Sequence, residues 1–290
     1  MKAQPECLPC MLRASLTAAR LAGADEEVQW AILREVAKVL TERLPGRPPI
    51  EVSPAAQGIV RRLSRVEDPF AAAKRQANRE LLELVPELRA AAAEAPDPLA
   101  FLLRLAAAGN AVDLGARTDY RLAEVTQADN WGRFDYPAFL EKLEAAERVL
   151  LIADNAGEIV LDRLLCEELS RRGKRVTVAV RAAPTLNDAT REDAEEVGLP
   201  QVAEVITTGQ DHPGAFLPAA SPEFVAAFRR AGLVVAKGMG NFEGLSEEPG
   251  PIFFLLKAKC APVARELGVE VGELVLAGPG LTGAGEKGQS

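Results

Sequence analysis

From Leu12 to about Ala108 the apolar residues recur at intervals of three and four, as in Trp30, Leu33, Val36, Ala37 and Leu40. That spacing predicts amphipathic helices. Proline cannot continue a helix, so breaks are expected at Pro45 to Pro49, at Ser53-Pro54 and at Pro96 to Pro98. This half therefore reads as a helical bundle, and no internal repeat is present. From Arg148 onward the pattern changes to short β-branched runs separated by helical stretches: Val149 to Ala153, Arg175 to Val180, Glu204 to Thr207, Leu233 to Ala236 and Ile252 to Leu256. Such alternation predicts βαβ units and a mostly parallel sheet covered on both faces. A helix around Ala138 to Glu147 goes with this second half, and the expected division is residues 1–130, helical, and 131–290, α/β.

Composition narrows the function classes. With 290 residues, 48% of them hydrophobic, the chain can fill a sizeable core. No apolar run approaches the roughly 18 residues needed to span a bilayer, and Gln4, Pro5 and Glu6 are polar where a signal peptide needs an apolar segment. A cytoplasmic location and no membrane partner are expected. The net charge of −8 argues against a nucleic-acid partner, which would require many phosphates to be neutralised by Lys and Arg. Four unevenly spaced cysteines, Cys7, Cys10, Cys166 and Cys260, suggest thiols or a metal site rather than a disulfide scaffold. The single histidine, His212, excludes any mechanism that needs two.

In parallel sheets ligands bind beyond the carboxyl ends of the strands. The first such end carries Asp154-Asn155-Ala156-Gly157-Glu158. The carboxylate of Asp154 and the amide oxygen of Asn155 are hard donors suited to Mg²⁺ or Mn²⁺, and the same residue types also cap helices. The second delivers Asn187-Asp188 after Arg181. It too has a capping reading, but two strands bringing Asp-Asn and Asn-Asp to one edge make an oxygen cluster that two independent caps would not require. After the fourth strand comes Lys237-Gly238-Met239-Gly240-Asn241-Phe242-Glu243-Gly244. Its glycine spacing does not match a dinucleotide fingerprint, and no long helix is expected after it. The loop reads instead as one that lets backbone N–H groups and Asn241 approach an anion beside Lys237. Lys257 and Lys259 follow the fifth strand. In the helical half, Asn110 and Asp113 interrupt an apolar helix, while Asp68, Lys74 and Asn78 lie at helical spacing and are candidates to line the same cleft.

These segments, in this order, resemble the domain of unknown function 89 family, whose members include damage-control phosphatases. The resemblance spans nearly the whole chain. It is carried by Cys7-Leu8-Pro9-Cys10, Asp68-Pro69 with Lys74 and Asn78, Gly109-Asn110 with Asp113, Asp154 to Glu158, Arg181 with Pro184 and Asn187 to Thr190, Lys237-Gly238 with Gly240 to Glu243, and Lys257 to Cys260. The N-terminal cysteine pair makes the chain similar to the prokaryotic branch. The resemblance implies a helical bundle packed on a Rossmann-like α/β/α domain. It also implies a divalent metal, Mg²⁺ or Mn²⁺ with Co²⁺ and Ni²⁺ as further candidates, at the catalytic Asp154, Asn155 and Asp188. Small phosphorylated metabolites, such as sugar phosphates or damaged phosphometabolites, are then the expected substrates. Asn110, Asp113, Glu158, Asn187, Lys237, Asn241 and Lys257 are the expected substrate contacts.

The nucleophile is either a metal-activated water or a carboxylate such as Asp154. A rival reading is a protein that binds a metal or phosphorylated ligand without turnover. Cys7, Cys10 and Cys260 read either as a second, zinc- or iron-type or redox centre or as structural thiols. Being soft ligands, they are expected to form a site separable from the oxygen donors.

Overall fold

The computed structural model describes residues 1–109 and 130–279. Five helices open the chain: α1 (Cys7–Leu21), α2 (Glu26–Arg43), α3 (Pro49–Ser64), α4 (Ala71–Glu94) and α5 (Pro98–Gly109). Local chemistry sets several starts. The Asp25 carboxylate accepts from the Val28 N–H at 2.9 Å to cap α2, and Pro49 and Pro98 occupy first turns, where a missing N–H costs nothing. Pro54, expected as a break, instead lies inside α3. The helix tolerates it with only the Ile50 carbonyl deprived of its usual donor, because the flanking Val52, Ala56, Ile59 and Val60 are all buried in one core.

The second half follows as β1 (Trp131–Phe134), α6 (Tyr136–Ala145), β2 (Arg148–Ile152), α7 (Glu158–Arg171), β3 (Arg175–Val180), α8 (Arg191–Glu196), β4 (Glu204–Thr207), α9 (Pro222–Arg230), β5 (Leu233–Lys237), α10 (Gly238–Leu245), β6 (Ile252–Lys257), α11 (Ala261–Leu267) and β7 (Leu274–Ala277). The sheet order is β1-β7-β6-β5-β2-β3-β4. From β6 to β4 all neighbours are parallel; β7 runs antiparallel to β6, and β1 pairs parallel with β7. Successive residues of each central strand enter opposite cores. Val149, Leu151, Val235 and Leu255 face α4, α5, α6 and α7, whereas Leu150, Ile152, Val234 and Phe254 face α9, α10 and α11. Burial on both faces is why these strands are uninterrupted apolar runs.

The helical half is not one packing unit. Helices α1 to α3 have their own core, which includes Ala18, Ile32, Leu40, Val60 and Phe70, whereas α4 and α5 share a core with the sheet through Leu88, Leu102 and Leu103. The cores therefore part near Phe70. Among the described residues no helix is long and apolar enough to cross a membrane.

Chain order places a switch beside β2. One crossover leads from β2 through α7 to β3 and β4, and the chain then returns to β5 and β6 on the other side. The crevice beyond the carboxyl ends of β2 and β5 is where such a sheet takes ligands.

Candidate active site

Two loops are laced together at that crevice. The Ala156 N–H donates to the Asn187 carbonyl at 2.9 Å, the Ala189 N–H to the Asp154 carbonyl at 2.8 Å, and the Arg181 N–H to the Ala189 carbonyl at 2.9 Å. A bridge pairs Asn155 with Asp188. The segments after β2 and β3 thus fold as one unit, which brings Asp154, Asn155, Asn187 and Asp188 onto a single cavity of about 270 Å³. Asp154 is 8% exposed and Asp188 3%.

Hydrogen bonds hold the donor groups in place. Asn155 donates its amide to Asp154 Oδ2 at 2.7 Å and to Glu158 Oε2 at 3.3 Å, which commits its nitrogen. The Arg181 guanidinium, 1% exposed, donates to Asp188 Oδ2 at 2.7 Å and to the Ala153 carbonyl at 3.0 Å. Burial pushes the Asp188 carboxyl up to about 7, and the nearby Asp154 charge adds to the rise while Arg181 opposes it. Two acids in one buried place repel, and that repulsion is what a bound cation would relieve.

A second layer comes from α4. Gly157 has φ +78°, and its N–H donates to Asn78 Oδ1 at 2.6 Å. A Cβ there would lie 2.9 Å from the Ala77 Cβ, so the turn needs glycine. The Asn78 amide also donates to Asp193 Oδ1 at 3.2 Å and Glu196 Oε2 at 2.6 Å. Lys74 pairs with Asp68 at 2.9 Å and Asp193 at 3.2 Å. Burial alone would lower the Lys74 ammonium, but Asp193 and Asp68 outweigh it and hold it charged. Asp193 in turn accepts from the Thr190 N–H at 2.9 Å. Asp68, Lys74 and Asn78 thus do not line the cavity; they clamp the two loops that do.

The expected substrate contacts divide sharply. Asn187 lines the cavity. Lys237 is wholly buried, paired with Glu158 and, at 2.5 Å, with Asp162. Burial would lower its pKa, yet the two acids hold it above the ordinary value, while burial pushes Glu158 up to about 7. Lys237 and Glu158 therefore stand behind Asn155 rather than facing a ligand. Asn241, also wholly buried, accepts from the Ala215 N–H at 2.7 Å and donates to the Lys237 and Ala153 carbonyls at 2.6 and 3.1 Å, tying β2 to β5. Its glycine-rich segment is helix α10, not an anion-cradling loop. A Cβ on Gly240 would collide with the Pro213 carbonyl, so the glycine serves close packing. Lys257 is half-buried and outside the lining, which receives Lys259 instead. Asn110 and Asp113 lie outside the described residues.

Cys7, Cys10 and Cys260 do converge, but on this same cavity, together with Met11 and Met239. The Cys260 thiol lies 4.0 Å from the Met239 sulfur, and burial raises the pKa of both Cys7 and Cys260. Thiol and oxygen donors thus line one cavity. Among the described residues no three Cys, His, Asp or Glu side chains form a group that could hold a metal. Cys166 is a core residue. Pattern reading missed Ser53 and Gln57 on α3 and Glu243 on α10, all of which line the cavity. The first two sit on the buried face of an ordinary amphipathic helix, and their only signal was a polar residue at an apolar position.

The chain is similar to known proteins over almost its whole length. The model of the damage-control phosphatase ARMT1-like domain matches residues 3–275. An uncharacterized protein of Methanocaldococcus jannaschii is 34% identical over 95% of each chain. A damage-control phosphatase of Archaeoglobus fulgidus is 34% identical over 95% of this chain and 98% of its own. One from Pyrococcus horikoshii is 35% identical over 95% and 97%. The crystal structure of a DUF89 family protein from P. horikoshii superposes with a TM-score of 0.86 at 31% identity, covering 95% of this chain and 98% of that one. With a family model spanning nearly all of it and relatives of matching length, this chain belongs to the damage-control phosphatase ARMT1-like family.

Proposed function

We propose that the protein is a divalent-metal-dependent phosphatase that hydrolyses phosphate monoesters of small metabolites. The observation that carries this reading is the convergence of Asp154, Asn155 and Asp188 on one cavity at the switch point of the sheet. Two relatives named damage-control phosphatases support the reaction class. The donor set fits a hard cation: two buried carboxylates and an amide oxygen, with no thiol or imidazole among them. Bound there, Mg²⁺ or Mn²⁺ would supply Lewis-acid polarisation of a phosphoryl oxygen.

The chain's own groups do the rest. Arg181 fixes Asp188, and Asn155 fixes Asp154, so that the oxygens are aimed before a ligand arrives. Lys259 is the cation among the cavity's lining residues and would neutralise a phosphoryl oxygen. Glu243 lines the cavity half-buried, and burial pushes its carboxyl up to about 7. It can therefore hold a proton near neutral pH and give it to the departing alkoxide.

The cavity volume lies below the roughly 300–1,000 Å³ usual for drug-sized ligands, which favours small esters. The test is phosphate release from a panel of esters with Mg²⁺, Mn²⁺, Co²⁺ or Ni²⁺, before and after chelation. Asp154→Ala and Asp188→Ala are each expected to lose at least about a hundredfold in rate. Full activity in either variant at ordinary metal concentration would overturn the assignment.

A further inference from the structure

Ser53 and Gln57 are each only 6% exposed, and both line the cavity from α3. They are one turn apart, so they stand on one face of the helix with Pro49, Ile50 and Ala56, which also line it. Neither side chain has a hydrogen-bond partner among the described residues. Other buried or half-buried helical hydroxyls find one: Ser15 donates to the Met11 carbonyl at 2.9 Å, and Ser64 to the Val60 carbonyl at 2.7 Å. Buried polar side chains are nearly always bonded. Ser53 and Gln57 open on the cavity, which marks a place where a ligand can supply the partner.

We propose that Ser53 and Gln57 read the leaving group of the phosphate ester, hydrogen-bonding its uncharged hydroxyl or carbonyl oxygens and so setting which ester is cleaved. This rests on the phosphatase reading. A hydroxyl and a primary amide both donate and accept, which suits the hydroxyl groups of a polyol chain. A second anionic group fits poorly, because Glu6 and Glu243 share the lining and Lys259 is the cation there. A nucleobase fits poorly too, since no aromatic residue is found among the lining residues. The metal-binding loops take the phosphate, and α3 takes what the phosphate is attached to.

The decisive measurement is the ratio of kcat/KM for a polyol phosphate, glycerol 3-phosphate or a hexose 6-phosphate, to that for phenyl phosphate, which carries no hydroxyl. In Ser53→Ala and Gln57→Met the ratio should fall on the order of three- to tenfold each, mainly through KM. Ser53→Thr, which keeps the hydroxyl, should restore it. The melting temperature gives an independent sign. Side chains with no internal partner add nothing to the fold, so their apolar replacements should hold or raise it, whereas a structural role predicts a fall.

An unchanged ratio in both variants would overturn the proposal, as would a fall in melting temperature with equal loss on both esters. If the unaltered protein cleaves no ester with any of the four metals, the phosphatase reading fails by itself. Calorimetry with Mn²⁺ present then tests the pair: affinity for glycerol 3-phosphate must drop in the double variant relative to inorganic phosphate, and equal changes would overturn the assignment.

Discussion

Glu243 shows how a single residue can tie catalysis to stability. Its carboxyl ordinarily titrates near 4.5, but in the folded chain burial lifts it to about 7. Below pH 4.5 both folded and unfolded chains hold the proton and there is no penalty. As pH rises through 7 the folded state must either keep a proton the unfolded state has lost or bury a charge, so stability falls. Glu243→Gln should remove that loss: its melting temperature relative to the parent should climb between pH 4.5 and pH 8, by an amount equivalent to about 1–3 kcal/mol. The same variant should slow esters with poor leaving groups by about a hundredfold or more while sparing p-nitrophenyl phosphate, whose leaving group needs no proton. Equal slowing of both would remove Glu243 from the role of proton donor. Gly157→Ala makes a different point. The positive φ and the approach of Ala77 should together cost about 2–3 kcal/mol, read as a shift in denaturant midpoint.

At the scale of elements, helix α4 controls the site without touching it. Asn78→Ala would leave the Gly157 N–H without its acceptor and Asp193 and Glu196 without a donor. The expected result is a loss of about 1–3 kcal/mol together with weaker Mn²⁺ binding in a titration; loss of stability with unaltered metal affinity would mean that the loops hold themselves. This scale also separates what could be read along the chain from what could not. The central strands β2, β3, β5 and β6 were legible because burial on both faces makes them largely apolar runs, and edge strand β4 was legible through its β-branched Val205, Ile206 and Thr207. The convergence of Asp154, Asn155, Asn187 and Asp188 on one edge was legible because the ends of neighbouring parallel strands lie side by side. Strands β1 and β7 were not read: β1, Trp131–Phe134, carries a glycine and an arginine and is a strand through its pairing with β7, while β7, Leu274–Ala277, is a buried apolar run that the pattern passed over. Helix α10 was hidden by glycines that look like a loop but serve contact with Pro213. Lys237 was misread because the chain does not reveal that Glu158 and Asp162, one turn apart on α7, converge on it.

For the whole molecule, the cavity lies where separate cores meet. Its floor comes from the loops after β2 and β3, and its walls from α1, α3 and α10. Inorganic phosphate with Mn²⁺ should therefore slow amide hydrogen exchange in α1 and α3 as well as in residues 154–158 and 186–190; protection confined to the two loops would mean that ligand does not engage the walls. The position of Cys10, exposed on the rim and lining the same cavity, predicts that alkylation by iodoacetamide lowers activity and that ligand protects against it. The thiols share that cavity with the oxygens, yet hard and soft ligands prefer different ions. Helices α1 to α3 keep a hydrophobic core of their own and meet the Asp188 loop through Leu186 and Arg61, so cavity-facing side chains such as Ser53 and Gln57 can be exchanged while those two contacts stay in place. Selection can thus redirect such a protein to a new metabolite by changing a few wall residues, while the reaction itself is inherited intact.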